Sequence, residues 1–366
     1  MNGKGLNAQQ TMILVVLFLL GSSLVIGVNI NEDLEQDSWV ALICSFVLII
    51  PLMLIYYRIL KTLPEKNIYE IFDILFGKIA GKFLSIIFII YSIYLGSIVL
   101  RNFSEYIEIT TLPDTPQLPV MILLVGTTIY LAKSELSTLG RWGYLILIVL
   151  LITIFTTIIL TMPALNIENL QPFIAHSSKA IAVSSFRVFM LPFAELIVIL
   201  GIADEFHLKN KGKGVFIGGT IITGIILFVI TVRNVLILGA PMIKNSFFNS
   251  YEAARILQLG DFLTRVEGII TINLVLAGMT KGTLFMISIS KGIAHVTKNK
   301  NFTNLIAPTG MILLALCPFL FEDVVDMFSF SPIFGYLAIP MQIILPILVW
   351  ILAEFYNKKQ KKTLSK

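Results

Sequence analysis

Charge is what this sequence has least of. Only 13% of its 366 residues are Asp, Glu, Lys or Arg, about half the roughly 25% of an average soluble domain, while 57% are hydrophobic. That balance excludes a soluble globular or a disordered chain. Cysteine is nearly absent. Cys44 and Cys317 both sit inside apolar runs, where a thiol acts as a small hydrophobe, so neither a disulfide framework nor a metal site is implied. The three histidines, His176, His207 and His295, fall at segment ends without ligand spacing and read as interfacial polar side chains. There is no HExxH, no GxSxG and no clustered carboxylate pair within the apolar runs, so metal-assisted and nucleophilic catalysis both lack their parts. The expectation is a non-enzyme without cofactor or metal. The net charge of +5 is spread along loops and offers nucleic acid no surface.

Long apolar runs, by contrast, are plentiful. A membrane-spanning helix needs about 20 residues, and ten candidates follow one another: 11–29, 39–60, 83–103, 119–132, 142–162, 185–203, 215–238, 268–289, 305–321 and 332–353. The fourth is the shortest. The first could pass for a signal peptide behind Lys4, but no small-x-small cleavage pattern follows it, and it is expected to be retained. Loop charge orients the set. The turn after the first run holds Glu32, Asp33, Glu35 and Asp37 and no base, whereas the next connection carries Arg58, Lys61, Lys66, Lys78 and Lys82. With alternate loops assigned to alternate sides, about 19 Lys and Arg fall on one face and about 7 on the other, which puts both termini in the cytoplasm.

Two connections, the second and the seventh, exceed the rest in length. In "NIYEIFDILFGKIAGKF" the apolar residues Ile68, Ile71, Phe72, Leu75 and Ile79 recur at three-four spacing opposite Glu70, Asp73 and Lys78. In "SYEAARILQLGDFLTRVEG" Ile256, Leu259, Leu263 and Val266 do so less cleanly. Both predict helices lying in the interface. A long second connection in each of two five-span units predicts an inverted repeat, 1–183 and 184–366, because an odd number of spans reverses the second unit.

The first spans of both units are interrupted. The first carries "GSSLVIG", Gly21 to Gly27, at mid-depth, and the sixth, "SSFRVFMLPFAELIVILGIADEF", carries Pro192. Each unpaired main-chain group in hydrocarbon costs several kcal/mol, so such breaks survive where they line a protein-enclosed space. Facing breaks offer free amides to an anionic group and free carbonyls to a cationic one, which suits a zwitterion. Two ionisable residues lie deep, Glu195 and Lys281. Glu195 is expected to meet a ligand ammonium or a proton, and Lys281 to stand in for a coupling cation near the first break; a structural ion pair between the two is the alternative. Tyr91 and Tyr94 could cap the pocket. Arg101 and Arg233, toward the outer ends of their spans, are expected to snorkel to head groups.

The stretches "LNAQQTMILVVLFLLGSSLVIG", "DSWVALICSFVLIIPLMLIYY", "LPDTPQLPVMILLV" and "FMLPFAELIVIL" together resemble the endospore germination permeases, the B subunits of GerA-type nutrient receptors within the amino acid, polyamine and organocation superfamily. The resemblance covers nearly the whole chain. It implies an all-α polytopic membrane protein of ten helices in two inverted five-helix repeats, LeuT-like, with helices 1 and 6 discontinuous. It implies a nutrient, an amino acid in the first instance, bound between the breaks, at Gly21, Ser22, Ser23 and Gly27 on one side and Pro192, Phe193, Ala194 and Glu195 on the other. It further implies a sensing role in the spore inner membrane beside an A subunit and a lipoprotein C subunit. The competing reading is a proton-coupled amino acid transporter acting alone, which needs the same pocket.

Overall fold

Apolar length alone dictates most of the architecture. The computed structural model describes residues 5–208, 211–256 and 267–364, with backbone alone at 28–32 and 362–364. The first span is split into α1 (Ala8–Leu20) and α2 (Ser23–Leu34), and α3 (Ser38–Thr62) is the second. A short helix, α4 (Ile68–Phe76), precedes α5 (Lys78–Thr110), α6 (Gln117–Lys133) and α7 (Leu136–Thr161). The sixth span starts as α8 (Ser178–Val188), passes a widened turn at Phe189–Phe193, and resumes as a tighter-wound helix, Ala194–Glu205. Then come α9 (Gly212–Asn245), the short α10 (Asn249–Arg255), α11 (Glu267–Thr297) and α12 (Thr303–Leu320). The tenth span joins α13 (Val324–Ile339) to α14 (Leu345–Leu364) through a second widened turn, Pro340–Ile344.

Among the described residues eight helical runs are long and apolar enough to cross a membrane. The two remaining spans are the split first one and the shorter α6, giving the ten expected from sequence. Strand pairing among the described residues is a two-residue parallel bridge, Leu6–Asn7 against Phe206–His207, which ties the start of the chain to the end of the sixth span.

Local chemistry sets the boundaries. Asn7 accepts from the Gln10 amide at 2.9 Å while the Gln10 side chain accepts from the Asn7 amide at 3.0 Å, a reciprocal cap that fixes where α1 begins. Asn67 and Glu70 repeat the device at α4. Ile68, Ile71 and Phe72 of α4 are buried as the periodicity predicts. Ile79 is not on that face: Gly77, at φ +81°, ends α4, and Ile79 lies in α5 at 90% exposure. A glycine turn breaks the helical phase between the two. In the seventh connection only α10 and Ile256 are described; Leu259, Leu263 and Val266 lie outside the described residues.

Burial identifies the central rods. The apolar window of the sixth span is 89% buried and that of the eighth 61%, against 17% for the fifth, so the sixth and eighth form the axis and the fifth faces lipid. Their close approach is set by a missing side chain. A Cβ at Gly201 would sit 1.9 Å from Ser288 Oγ, which donates to the Val198 carbonyl at 2.9 Å. Replacing Gly201 by valine should therefore destabilise by about 1–3 kcal/mol or more. Gly126→Val, at an open position, should stay within about 0.5 kcal/mol. Thermal unfolding of the two variants in detergent compares them.

Candidate functional site

The break in the first span is made by two residues with separate tasks. A Cβ on Gly21 would lie 2.8 Å from the Ala277 carbonyl oxygen and 3.1 Å from Lys281 Cβ, so glycine is what lets α11 lie against the end of α1. Ser22, fully buried, turns its hydroxyl back to the Phe18 carbonyl at 3.4 Å. In the sixth span Leu191 is extended, at φ −130° and ψ 106°, immediately before Pro192. Proline has no amide hydrogen to give the preceding turn, and the helix resumes beyond it with Ala194 and Glu195.

Lys281 joins the two breaks. Its Nζ lies 2.6 Å from Glu195 Oε2, donates to Ser22 Oγ at 2.8 Å, and sits 5.1 Å from the centre of the Phe18 ring. Lys281 and Glu195 are each 1% exposed. A lone charge at such depth is costly, and each of these is compensated by the other. Of the sequence-derived residues, Gly21, Ser22, Glu195 and Lys281 thus converge on one point. Pro192, Phe193 and Ala194 are buried beside it, with the Phe193 ring against Phe46 at 4.6 Å between centroids.

Three expected residues stand apart from this contact. Ser23 and Gly27 line a cavity of about 40 Å³ bounded by α9 and α10. Tyr94 stacks on Phe334 at 6.1 Å. The tyrosine within electrostatic reach of Glu195 is Tyr91, whose hydroxyl accepts from Gln342 Nε2 at 2.6 Å. Gln342 sits in the widened turn of the tenth span, a third irregularity that faces the same centre; Pro340 was its sequence signal.

Both ways out of the centre are closed. On the acidic-loop side, Val25, Leu191, Met327, Phe328 and Phe334 surround a void of only about 10 Å³. Above it Asp37, fully buried, accepts from the Ile174, Ala175 and His176 amides at 2.9, 2.7 and 3.1 Å and from His176 Nδ1 at 2.8 Å. Arg187 pairs with Asp33, and Lys244 with Glu35 at 3.1 Å. On the basic-loop side Lys291 holds Asp204 at 2.7 Å and Glu205 at 3.0 Å.

Two expectations are corrected. Arg101 and Arg233 do not snorkel; they are 4% and 5% exposed. Arg101 pairs with Glu105 at 2.5 Å and reaches the Glu322 carbonyl at 3.4 Å. Arg233 is held by Asn234 and Thr157. α5 has 33 residues and α9 runs from Gly212 to a kink at Gly239 (φ 65°, ψ 171°); both exceed the roughly 20 residues of a span, and their outer turns are packed inside protein instead of lying at the lipid surface. The Arg101–Glu105 spacing of four was the available signal. His176 and His295 are likewise not isolated interfacial groups, since each meets a carboxylate, Asp37 and Asp73.

Comparison with known proteins fits this geometry. The family described as spore germination protein matches residues 5–322. This chain belongs to that family, the spore germination permeases. It is 24% identical to spore germination protein KB of Bacillus subtilis (strain 168), covering 98% of this chain and 97% of that one. It is 21% identical to spore germination protein YndE of the same organism, with 97% of each covered. Among solved structures it is similar to a manganese transporter of Eremococcus coleocola, in two mutant forms, with a TM-score of 0.60, 12% identity, and 96% of this chain and 85% of that one covered. The chain thus has the fold of that transporter and is a multi-pass membrane protein.

The pair at the centre makes a definite thermodynamic prediction. Lys281→Met alone strands the Glu195 carboxylate and should cost about 3–5 kcal/mol, whereas Lys281→Met with Glu195→Gln should restore most of that loss. Thermal melts of the two single variants and the double variant measure it.

Proposed function

We propose that this spore germination permease is the nutrient-recognising B subunit of a germinant receptor, and that its ligand is a small zwitterion, an amino acid, bound between the broken first and sixth helices. The observation that carries this reading is the Ser22–Lys281–Glu195 contact, in which one cation and one anion hold the two breaks together in the dry centre of the protein. A zwitterion is the ligand class that can open such a contact without stranding a charge. Its ammonium takes Glu195, its carboxylate takes Lys281, and one ion pair becomes two. An uncharged or singly charged ligand leaves one partner bare. Pro192, Phe193 and Ala194 then shape the walls, with Tyr94, Ser23 and Gly27 farther out.

Binding shifts the protein only by the difference in its affinity for the closed and opened arrangements. In the receptor reading that shift is passed to A and C subunits in the spore inner membrane, with both termini in the cytoplasm. The bias of basic residues between alternate loops supports that orientation. The halves 1–183 and 184–366 act as inverted repeats, their lead helices supplying one break each. The transporter fold keeps a second reading in view, an amino acid transporter acting alone. The cargo of the Eremococcus coleocola protein gains no support here: among the described residues no group of three or more His, Cys, Asp or Glu side chains is placed to hold a metal ion.

Calorimetric screening of amino acids against the purified protein tests the reading. At least one should bind in the wild type, and Glu195→Gln should weaken it by about tenfold or more. Absence of binding across the set removes the proposal. Sustained uptake of the bound amino acid into liposomes holding this chain alone favours the transporter over the receptor.

A further inference from the structure

Arg233 is a buried cation for which the nutrient site has no use. It lies on α9 at 5% exposure, and its guanidinium remains protonated at any working pH. Its partners are neutral: Nε and Nη2 donate to Asn234 Oδ1 at 3.2 and 2.7 Å, and Nη1 donates to Thr157 Oγ1 at 3.2 Å. No carboxylate among the described residues pairs with it, in contrast to Lys281, Arg101 and Lys291, each of which has its acid. Among the described residues this buried charge thus has only neutral neighbours, where burial calls for a counter-ion.

Arg233 borders a chamber of about 50 Å³ whose other polar lining is Ser23, Thr157, Ser250 and Asn273, the remainder being apolar side chains such as Ile154 and Ile270. A second cavity, of about 40 Å³, shares Ser23, Ile230, Ser250 and Leu274 with it. The hydrogen bonds around the chamber leave several donors over. Thr157 Oγ1 accepts from Arg233 and gives its own hydrogen to the Ile154 carbonyl at 2.8 Å. The single Thr153 hydroxyl hydrogen is shared among the Val149 and Leu150 carbonyls and Asn273 Oδ1, and Ser250 Oγ accepts from Asn234 Nδ2 at 3.0 Å. What remains to be offered is the rest of the guanidinium N–H groups, the Asn273 amide N–H groups and the Ser250 hydroxyl hydrogen. Donors around an uncompensated cation recognise an anion.

We propose that this chamber binds a small monovalent anion, chloride or the carboxylate of a very small organic acid, as the counter-ion of Arg233. Its volume admits roughly three or four water-sized bodies, which suits a halide or formate and excludes a sugar acid. The site is separate from the nutrient contact yet shares its scaffold. Asn273, Ala277 and Lys281 follow one another at intervals of four on α11 and so share a face. Leu20 and Ser23, either side of the first break, line the chamber. Anion occupancy therefore bears on the same break that Ser22 ties to Lys281.

The test uses the purified full-length protein without nutrient, so its outcome is independent of the amino acid reading. Thermal unfolding is followed in sodium chloride, bromide, formate and gluconate at equal ionic strength, together with the 35Cl linewidth of chloride solutions. The expected result is a saturable rise in Tm with chloride, bromide or formate but not gluconate, and excess chloride linewidth that bromide reverses. Arg233→Gln should abolish both effects, and Asn273→Leu should weaken anion affinity roughly tenfold. Stabilisation by formate without chloride linewidth assigns the site to carboxylates; linewidth with halide stabilisation assigns it to halide. If Arg233→Gln does not fold, the linewidth of wild type against Asn273→Leu decides. Equal Tm in all four salts with no excess linewidth overturns the proposal.

Discussion

A single ion pair, Lys281 with Glu195, is the constraint around which the centre of this protein is arranged. In water it would be worth little; in an interior with no competing solvent each member is tolerable only because of the other. The pair demands that α11 pass close to the end of α1, which Gly21 permits, and that the sixth span open before Glu195, which Pro192 and the extended Leu191 bring about. Ser22 supplies the third contact and so fastens the first break to the same cation. Removing any one of these features leaves a buried charge or an unpaired main-chain group at mid-depth.

Around this centre the protein is shut toward both sides, and by different means. The acidic-loop side is sealed by packed aromatic and aliphatic side chains below a loop fastened on Asp37. The basic-loop side is fastened by Lys291 between Asp204 and Glu205. Closed packing of this kind is bistable, not elastic, so a ligand that replaces the central pair would act on whole helices. A receptor and a carrier need the same first step and differ only in what the released helices do next.

Much of this was legible in the sequence because membranes restrict the options. Ten apolar runs, an amphipathic α4, and breaks at Gly21 and Pro192 all follow from backbone satisfaction and period. The depth of Glu195 and Lys281 marked them as well. What the sequence did not reveal is which face each residue turns. Ser23 and Gly27 line a separate cavity and Tyr94 stacks on Phe334, while Tyr91, three residues from Tyr94, hydrogen-bonds Gln342 of the tenth span. Arg101 and Arg233 lie toward the ends of their spans yet inside protein, because distance along a helix is not distance from lipid where α5 and α9 outrun the bilayer. Gln342 escaped notice because a polar amide in an apolar run reveals its purpose only when its partner, on another span, is known.

The central claim is that a zwitterion opens the pair by replacing each half of it. A structure of the protein with its bound amino acid tests this most directly, through one distance. The account predicts that Lys281 Nζ and Glu195 Oε2, 2.6 Å apart here, separate beyond ion-pair range with the ligand ammonium on the carboxylate. A bound ligand elsewhere, with that contact unchanged, would contradict it.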